Sequence, residues 1–341
     1  MEPKVFHDNH FDSIQALRAF AAVFVLLEHV RFLNCGAFGV DIFFCISGFM
    51  IMFSTHRNTK HFIKKRAIRI LPLYYSMTIG TFLLLQLFPS MFEQTTANPT
   101  YLIKSLLFIP FDIGGGIIQP LMRIGWTVNC EIFFYLLFFL AFHISHKYRG
   151  IICSALLGCV VLLNCLLPMD YAPLQFYGNP VMLEFILGIL GYYIAWGLYQ
   201  LYQKTNRNPF WTIIAPICLI MIVLLFTILV LTKPTINILG LRRILLWGLP
   251  ALMLVISAFI LGLKIAIPTW IVQLGNMSFS IYLIHYYPVM LLDRAVFDFS
   301  TATAFSIFGV IISILICICC SYVSWYLFEK KLPKWLSKFY C

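Results

Sequence analysis

Residues 14–33 read IQALRAFAAVFVLLEHVRFL. The stretch has the length and polarity of a membrane-spanning helix, which needs about 20 apolar residues. Two of its members do not belong in hydrocarbon. A guanidinium at Arg18 and an imidazole at His29 are costly there, and such groups mark functional sites. Eleven residues at about 3.6 per turn make close to three whole turns, so both side chains share one helix face. A rise of about 1.5 Å per residue separates them by roughly 16 Å along the axis. An anion clamp near one membrane face and a base near the other suit a long ligand lying between them.

The rest of the chain agrees with a membrane setting. It has 341 residues, of which 61% are hydrophobic and 11% charged, and its mean hydropathy is +0.91. Soluble domains carry about 25% charged residues. The composition excludes a water-soluble core and predicts an all-α, polytopic membrane helix bundle. Residues 1–13 carry Glu2, Asp8 and Asp12. They lack the cationic start of a cleaved signal peptide, so the first helix is expected to remain. Eleven cysteines lie mostly in apolar stretches, among them Cys153, Cys159, Cys165, Cys317, Cys319 and Cys320. They read as small apolar packing residues. No pair of CxxC motifs at metal-ligand spacing occurs, and neither a disulfide framework nor a metal site is expected.

Hydrophobic runs of spanning length fall at 14–33, 36–55, 70–90, 124–145, 149–168, 179–199, 210–231, 243–263, 276–297 and 304–327, about ten transmembrane helices. Residues 101–122 are apolar but broken by Lys104, Pro110, Asp112, three glycines and Pro120, which predicts a short interfacial or re-entrant segment. With both termini placed in the cytoplasm, sixteen Lys and Arg fall on the cytoplasmic side, including Lys4, Arg57, Lys60, Arg207 and Lys338. Seven fall outside or at outer helix ends: Arg31, Lys104, Arg123, Lys233, Arg242, Arg243 and Arg294. That asymmetry follows the positive-inside rule. The expectation is one integral-membrane domain over 1–341, with no fused extracytoplasmic domain.

Several polar groups could carry chemistry. THRNTKHFIKKRAIRILPLYY (55–75) packs six Lys or Arg into thirteen residues. It reads either as a topology anchor touching anionic lipid or as a phosphate-binding patch, where Arg supplies forked donors. Arg66 and Arg69, three apart and just before Pro72, share a face, and Lys65 lies beside them. His29 is either a core histidine satisfied by a hydrogen bond or a general base titrating near neutral pH. Its neighbour Glu28 points about 100° away. With the NCGAFG turn (34–39) centred near Cys35, His29 and Asp41 lie six residues either side of it, at equal depth. Asp41 could orient the imidazole or simply cap the second span. Glu131 in GWTVNCEIFFY, Glu184 near the start of the sixth span, and His285 in SFSIYLIHYYP are each a packing hydrogen bond or part of a polar cavity.

These stretches together resemble acyltransferase family 3, the bacterial membrane O-acyltransferases of surface polysaccharides and lipopolysaccharide. ALRAFAAVFVLLEH is similar to the family's Arg–ten residues–His motif. FGVDIFFCISGFMI resembles its glycine-flanked Asp and Ser-Gly-Phe stretch, and KKRAIRILPLYY its Arg-x-x-Arg before Leu-Pro. GWTVNCEIFFY, SFSIYLIHYYP and the closing YLFEKK follow in order. The last departs from the commoner Glu-Lys-Pro form at Glu329–Lys331, which leaves Glu329 without an assigned role.

The resemblance implies a cytoplasmic acyl-CoA donor, by default acetyl-CoA, and a sugar hydroxyl on a lipid-linked or surface glycan as acceptor. Membrane lipid is the remaining partner; no nucleic acid and no metal are expected. It implies roles for Arg18, His29, Arg66 and Arg69, with Asp41, Trp126, Glu131 and His285 lining the site. Joined to the reading of the residues, the expected assignment is donor binding by Arg18, Arg66, Arg69 and Lys65, catalysis by His29, Asp41 and Glu131, and acceptor contacts from Trp126, His285 and Glu184. The anionic nucleotide end would dock on Arg66 and Arg69, with Arg18 guiding the arm toward His29. Trp126 and Ser47 are the candidate oxyanion donors. The rival reading is a proton-coupled transporter or flippase using the same intramembrane His and Glu. It gives no reason for a phosphate clamp on a cytoplasmic loop, and paired broken helices, which such carriers often show, are not evident in the sequence.

Overall fold

The computed structural model describes residues 11–56, 62–89, 96–167, 170–205, 208–231 and 240–337. Lys4, Arg57, Lys60, Arg207, Lys233 and Lys338 of the charge count lie outside them, as do Glu2 and Asp8. Among the described residues the chain is all-α. Its one extended pairing is an isolated bridge between Asp112 and Ile118.

Helices form where hydropathy places them. α1 is Asp12–Glu28, α2 Gly39–Ser54, α3 Phe62–Leu87 and α4 Pro99–Leu106. α5 is Trp126–Ile144, α6 Arg149–Leu166, α7 Ala172–Tyr177, α8 Leu183–Thr205 and α9 Phe210–Leu231. α10 is Leu241–Gly262 and opens with a π turn over Ile244–Gly248. α11 Thr269–Asn276, α12 Ser278–Ile284 and α13 Tyr286–Leu292 are three pieces of one interrupted helix. α14 is Ala304–Leu336.

Among the described residues, seven helices are long and apolar enough to cross a membrane. Ten spans were expected. The other three are also helical, but α1 has 17 residues, α2 has 16, and the third is the interrupted helix. α1 stops at Glu28 instead of reaching residue 33, and residues 29–38 turn back. Asn34 adopts a positive φ of 40° in that turn. The apolar stretch 101–122 is the short α4 followed by a glycine turn, whose Gly114 and Gly116 amides donate to Asp112 at 2.7 and 3.2 Å. One cysteine expectation is corrected. Cys159, Cys165, Cys319 and Cys320 are exposed on helix surfaces rather than packed inside, whereas Cys153 and Cys317 are buried. A thiol is apolar enough for either setting.

The chain forms two compact units. The first comprises residues 1–59 and 184–322, the second 60–183 and 323–341. In the first unit α1 is central, packed against α2, α10, α11 and α12. Two close approaches explain how. A Cβ on Gly275 would stand 1.9 Å from the Gln15 carbonyl oxygen, so only glycine lets α11 rest on the α1 backbone. Gly48 of α2 and Gly188 of α8 face one another the same way, with Cβ positions 2.2 Å from the Phe185 oxygen and 2.1 Å from the Cys45 oxygen. Helix contact through small residues suits a membrane, where packing and not hydrophobic burial brings helices together. Phe11, Phe49, Phe53 and Phe259 fill the space between α1, α2 and α10. In the second unit α3 packs on α4 and α5, and α5 on α6.

Candidate active site

His29 caps the C-terminus of α1. The last carbonyls of a helix have no N–H partner within it. At this end the His29 amide bonds to Leu26 (3.1 Å), and the Val25 carbonyl instead takes the His29 ring, with Nδ1 at 2.9 Å. The imidazole is therefore tied to its own helix. The same Nδ1 lies 3.2 Å from Nε2 of His285, which is fully buried at the junction of α12 and α13. The rings meet edge-on, 4.8 Å between centroids, and Tyr286 stands edge-on to His29 at 5.4 Å.

The turn after His29 is held from both sides. Glu28, set aside as an orienting partner for His29, accepts from the Gly36 and Ala37 amides at 2.7 and 3.0 Å. Arg31 forms a two-pronged pair with Asp293 (2.8 Å each) and reaches Asp298 at 2.7 Å. That clamp fastens the His29 turn to the end of α13, so the two histidines are located by the same ion-pair group. Ser300 hydrogen bonds, with the Arg31 charge, hold the Asp298 carboxyl below the usual carboxylate range.

Arg18 is half-buried on the His29 face of α1 and donates from Nε to Ser278 Oγ at 3.2 Å. The pairs Arg18–Ser278 and His29–His285 follow one another in the same chain direction on α1 and on the α12–α13 pieces. They form a polar stripe inside the first unit.

Asp41 does not join that stripe. Sequence offers Asp41 either as the orienting carboxylate of His29 or as a cap of the second span; the structure corrects the His29 pairing, since the carboxylate goes to Arg243 instead. Both Asp41 oxygens accept from Arg243, Nε and Nη2 at 2.9 Å each. Asp41 is fully buried in the first turn of α2. A buried carboxylate requires a paired charge, and a guanidinium fork satisfies both oxygens where an imidazole satisfies one. Glu184, also fully buried, lies 3.9 Å from the same guanidinium, which rests over Trp247. Glu184 thus belongs to a charge cluster at the N-terminal ends of α2, α8 and α10.

In the second unit, Arg66 is half-buried with its guanidinium 5.3 Å from the centre of the Tyr135 ring. Tyr135 donates its hydroxyl to Glu131 one turn earlier on α5. Arg69 stands 3.8 Å from Glu329. Lys65 is exposed on α3 and Trp126 is half-buried at the start of α5. Ser47 sits half-buried midway along α2, in the first unit. Within the second unit the elements of the basic segment and of GWTVNCE therefore meet through Arg66, Tyr135 and Glu131.

A family model described as an acyltransferase domain matches residues 11–322, nearly the whole chain. The chain belongs to this acyltransferase family. With its apolar helices, membership makes it a multi-pass membrane protein. The acyltransferase is also similar to the exopolysaccharide production protein ExoZ of Rhizobium meliloti (strain 1021), at 33% identity over 162 residues. That match covers 46% of this chain and 50% of ExoZ, so the chain spans about half the length of the curated relative it matches. No solved structure matches it.

Some of the residues that the structure joins in charge pairs escaped the sequence reading. In the sequence Arg243 and Arg31 read only as outer charges, and Glu329 has no assigned role. The available signal was the pairing of carboxylates with arginines at helix ends: Asp41 and Glu184 at the starts of α2 and α8, Arg243 at the start of α10, and Arg31 with Asp293.

Proposed function

We propose that this chain is an O-acyltransferase of the bacterial inner membrane that moves an acyl group, by default acetyl, from cytoplasmic acyl-CoA to a sugar hydroxyl of a lipid-linked or cell-surface glycan. The observation that carries this reading is the His29 ring. It is fixed at the end of α1 by the Val25 carbonyl and His285, on the helix face that also bears Arg18, in a chain of an acyltransferase family. The similarity to an exopolysaccharide production protein supports a glycan acceptor.

In this reading His29 takes the hydroxyl proton as the sugar oxygen attacks the thioester carbonyl. The carbon–oxygen bond forms, the carbon–sulfur bond breaks, and the departing thiolate recovers the proton from His29. General-base help of this kind supplies about 10²–10⁴-fold. Holding both reactants in register contributes much of the rest. Arg66, Arg69 and Lys65 supply cations suited to the phosphates of the donor, and Arg18 supplies one at membrane depth. A transporter would use the same intramembrane histidines, but family membership favours group transfer.

The test is ester content of the surface glycan in cells lacking the gene, complemented with wild type or His29→Ala at equal membrane expression. Wild type restores the ester and His29→Ala does not. Restoration by His29→Ala removes the base from the mechanism.

A further inference from the structure

We propose that His285 is a positioning residue for His29, a neutral imidazole doing the work that a carboxylate does in many base–orienter pairs. The proposal rests on His29 being the base. It assigns His285 to proton placement and not to acceptor binding.

The argument is a proton count over three contacts. His29 Nδ1 lies 2.9 Å from the Val25 carbonyl oxygen. A carbonyl only accepts, so Nδ1 carries a proton. His285 Nε2, 3.2 Å from that nitrogen, must then present a lone pair. His285 Nδ1 lies 3.2 Å from the Ile281 carbonyl oxygen and must carry the remaining proton. One assignment satisfies all three contacts. Both rings carry a proton on Nδ1, His285 is neutral, and His29 in its neutral, base-competent form is the Nδ1–H tautomer. The His29 Nδ1–H is shared between Val25 and His285, and the basic nitrogen of His29 is Nε2.

This arrangement prepares His29 for proton transfer. When Nε2 takes the acceptor's proton, the ring becomes a cation and its Nδ1–H bond to His285 becomes charge-assisted, roughly doubling in strength. The gain appears only once the base is loaded, which is where an orienting group helps catalysis. The backbone holds both partners: His285 at the break between α12 and α13, His29 at the end of α1, and the Arg31–Asp293 pair between their elements. Tyr286 stands beside His29 and Tyr282 beside His285. Asp41 on α2 is committed to Arg243.

Two measurements test it. The first is transfer of radiolabelled acetyl from acetyl-CoA to endogenous glycan, in membranes carrying wild type, His285→Ala, His285→Gln or His29→Ala. His285→Ala lowers the rate at saturating acetyl-CoA by about 10²-fold, within the range of general-base effects. It leaves half-saturation within about twofold and moves the acidic limb of the pH–rate profile. His285→Gln, whose amide oxygen accepts, recovers at least about tenfold of the loss. Wild-type rates in His285→Ala, or a loss confined to half-saturation, overturn the proposal. An active His29→Ala instead overturns the functional reading on which it rests. The second measurement needs no transfer. In protein labelled with ¹⁵N-histidine, Nε2 of both His29 and His285 resonates as an unprotonated nitrogen, and a protonated Nε2 on either ring overturns the assignment.

Discussion

Arg243→Ala leaves two fully buried carboxylates, Asp41 and Glu184, without the guanidinium between them. Asp41 loses a two-pronged pair at 2.9 Å and 2.9 Å, and Glu184 loses its charge neighbour at 3.9 Å. The Arg243 side chain is only 17% exposed and both carboxylates are at 0%, so water cannot replace it well. Removing one partner of a buried pair costs about 3–5 kcal/mol. The expected loss in Arg243→Ala is of that size, read from reversible unfolding of the purified protein in mixed detergent micelles. Glu184→Gln should be far milder. It removes the second negative charge from a site with one guanidinium and costs less than about 1 kcal/mol. Asp41→Asn should destabilise while leaving the transfer rate per folded molecule within about twofold, because the carboxylate serves packing and not His29. The reasoning is refuted if Arg243→Ala unfolds like wild type. It is equally refuted if Asp41→Asn folds normally yet loses transfer as completely as His29→Ala, which would return Asp41 to the chemistry.

Arg66→Ala should raise the acetyl-CoA concentration for half-maximal transfer about five- to tenfold with little change in maximal rate. A half-exposed charge-assisted contact is worth about 1 kcal/mol, and uniform binding of donor shows in half-saturation alone. Gly188→Leu should prevent α2 and α8 from meeting, since even a Cβ would stand 2.1 Å from the Cys45 oxygen; accumulation of folded protein at wild-type level would contradict that contact. Arg31→Ala should release the His29 turn and lower transfer without raising donor half-saturation. The Asp298 carboxyl is held below its ordinary value, so its stabilising contribution is complete above about pH 4. That contribution is lost as pH falls through the lowered value. Asp298→Asn should remove that acid-side loss from a thermal-midpoint profile against pH.

Hydropathy alone located the helices, because a membrane helix must be apolar along nearly its whole length. All ten expected segments are helical among the described residues. Where the helices break was less legible. The run 276–297 reads as a single span, yet it is interrupted at Met277 and His285, and α1 ends at Glu28, inside the hydrophobic run 14–33. Those ends are set by tertiary partners: Glu28 on the Gly36 and Ala37 amides, and Arg31 on Asp293. The site shows the same division. The chemical identity of Arg18, His29 and His285 was readable because a polar group in hydrocarbon is informative wherever it stands. Their pairing was not. His285 lies 256 residues from His29 and Arg243 lies 202 residues from Asp41. Equal depth on either side of a short turn therefore matched Asp41 to the imidazole, whereas the structure gives Asp41 to Arg243 and His285 to His29. Glu329, whose motif departs from the commoner form, nevertheless stands beside Arg69, because a buried acid near a basic helix face needs a cation whatever follows it in sequence.

The central claim is that the His29 ring accepts the proton of the acylated hydroxyl. Its most direct test is acetyl transfer from radiolabelled acetyl-CoA to membrane glycan by wild type and His29→Ala, with insertion and unfolding of the variant matched to wild type. The account predicts a fall of at least about 10²-fold at saturating donor with the fold intact. Transfer by a folded His29→Ala at the wild-type rate would contradict it.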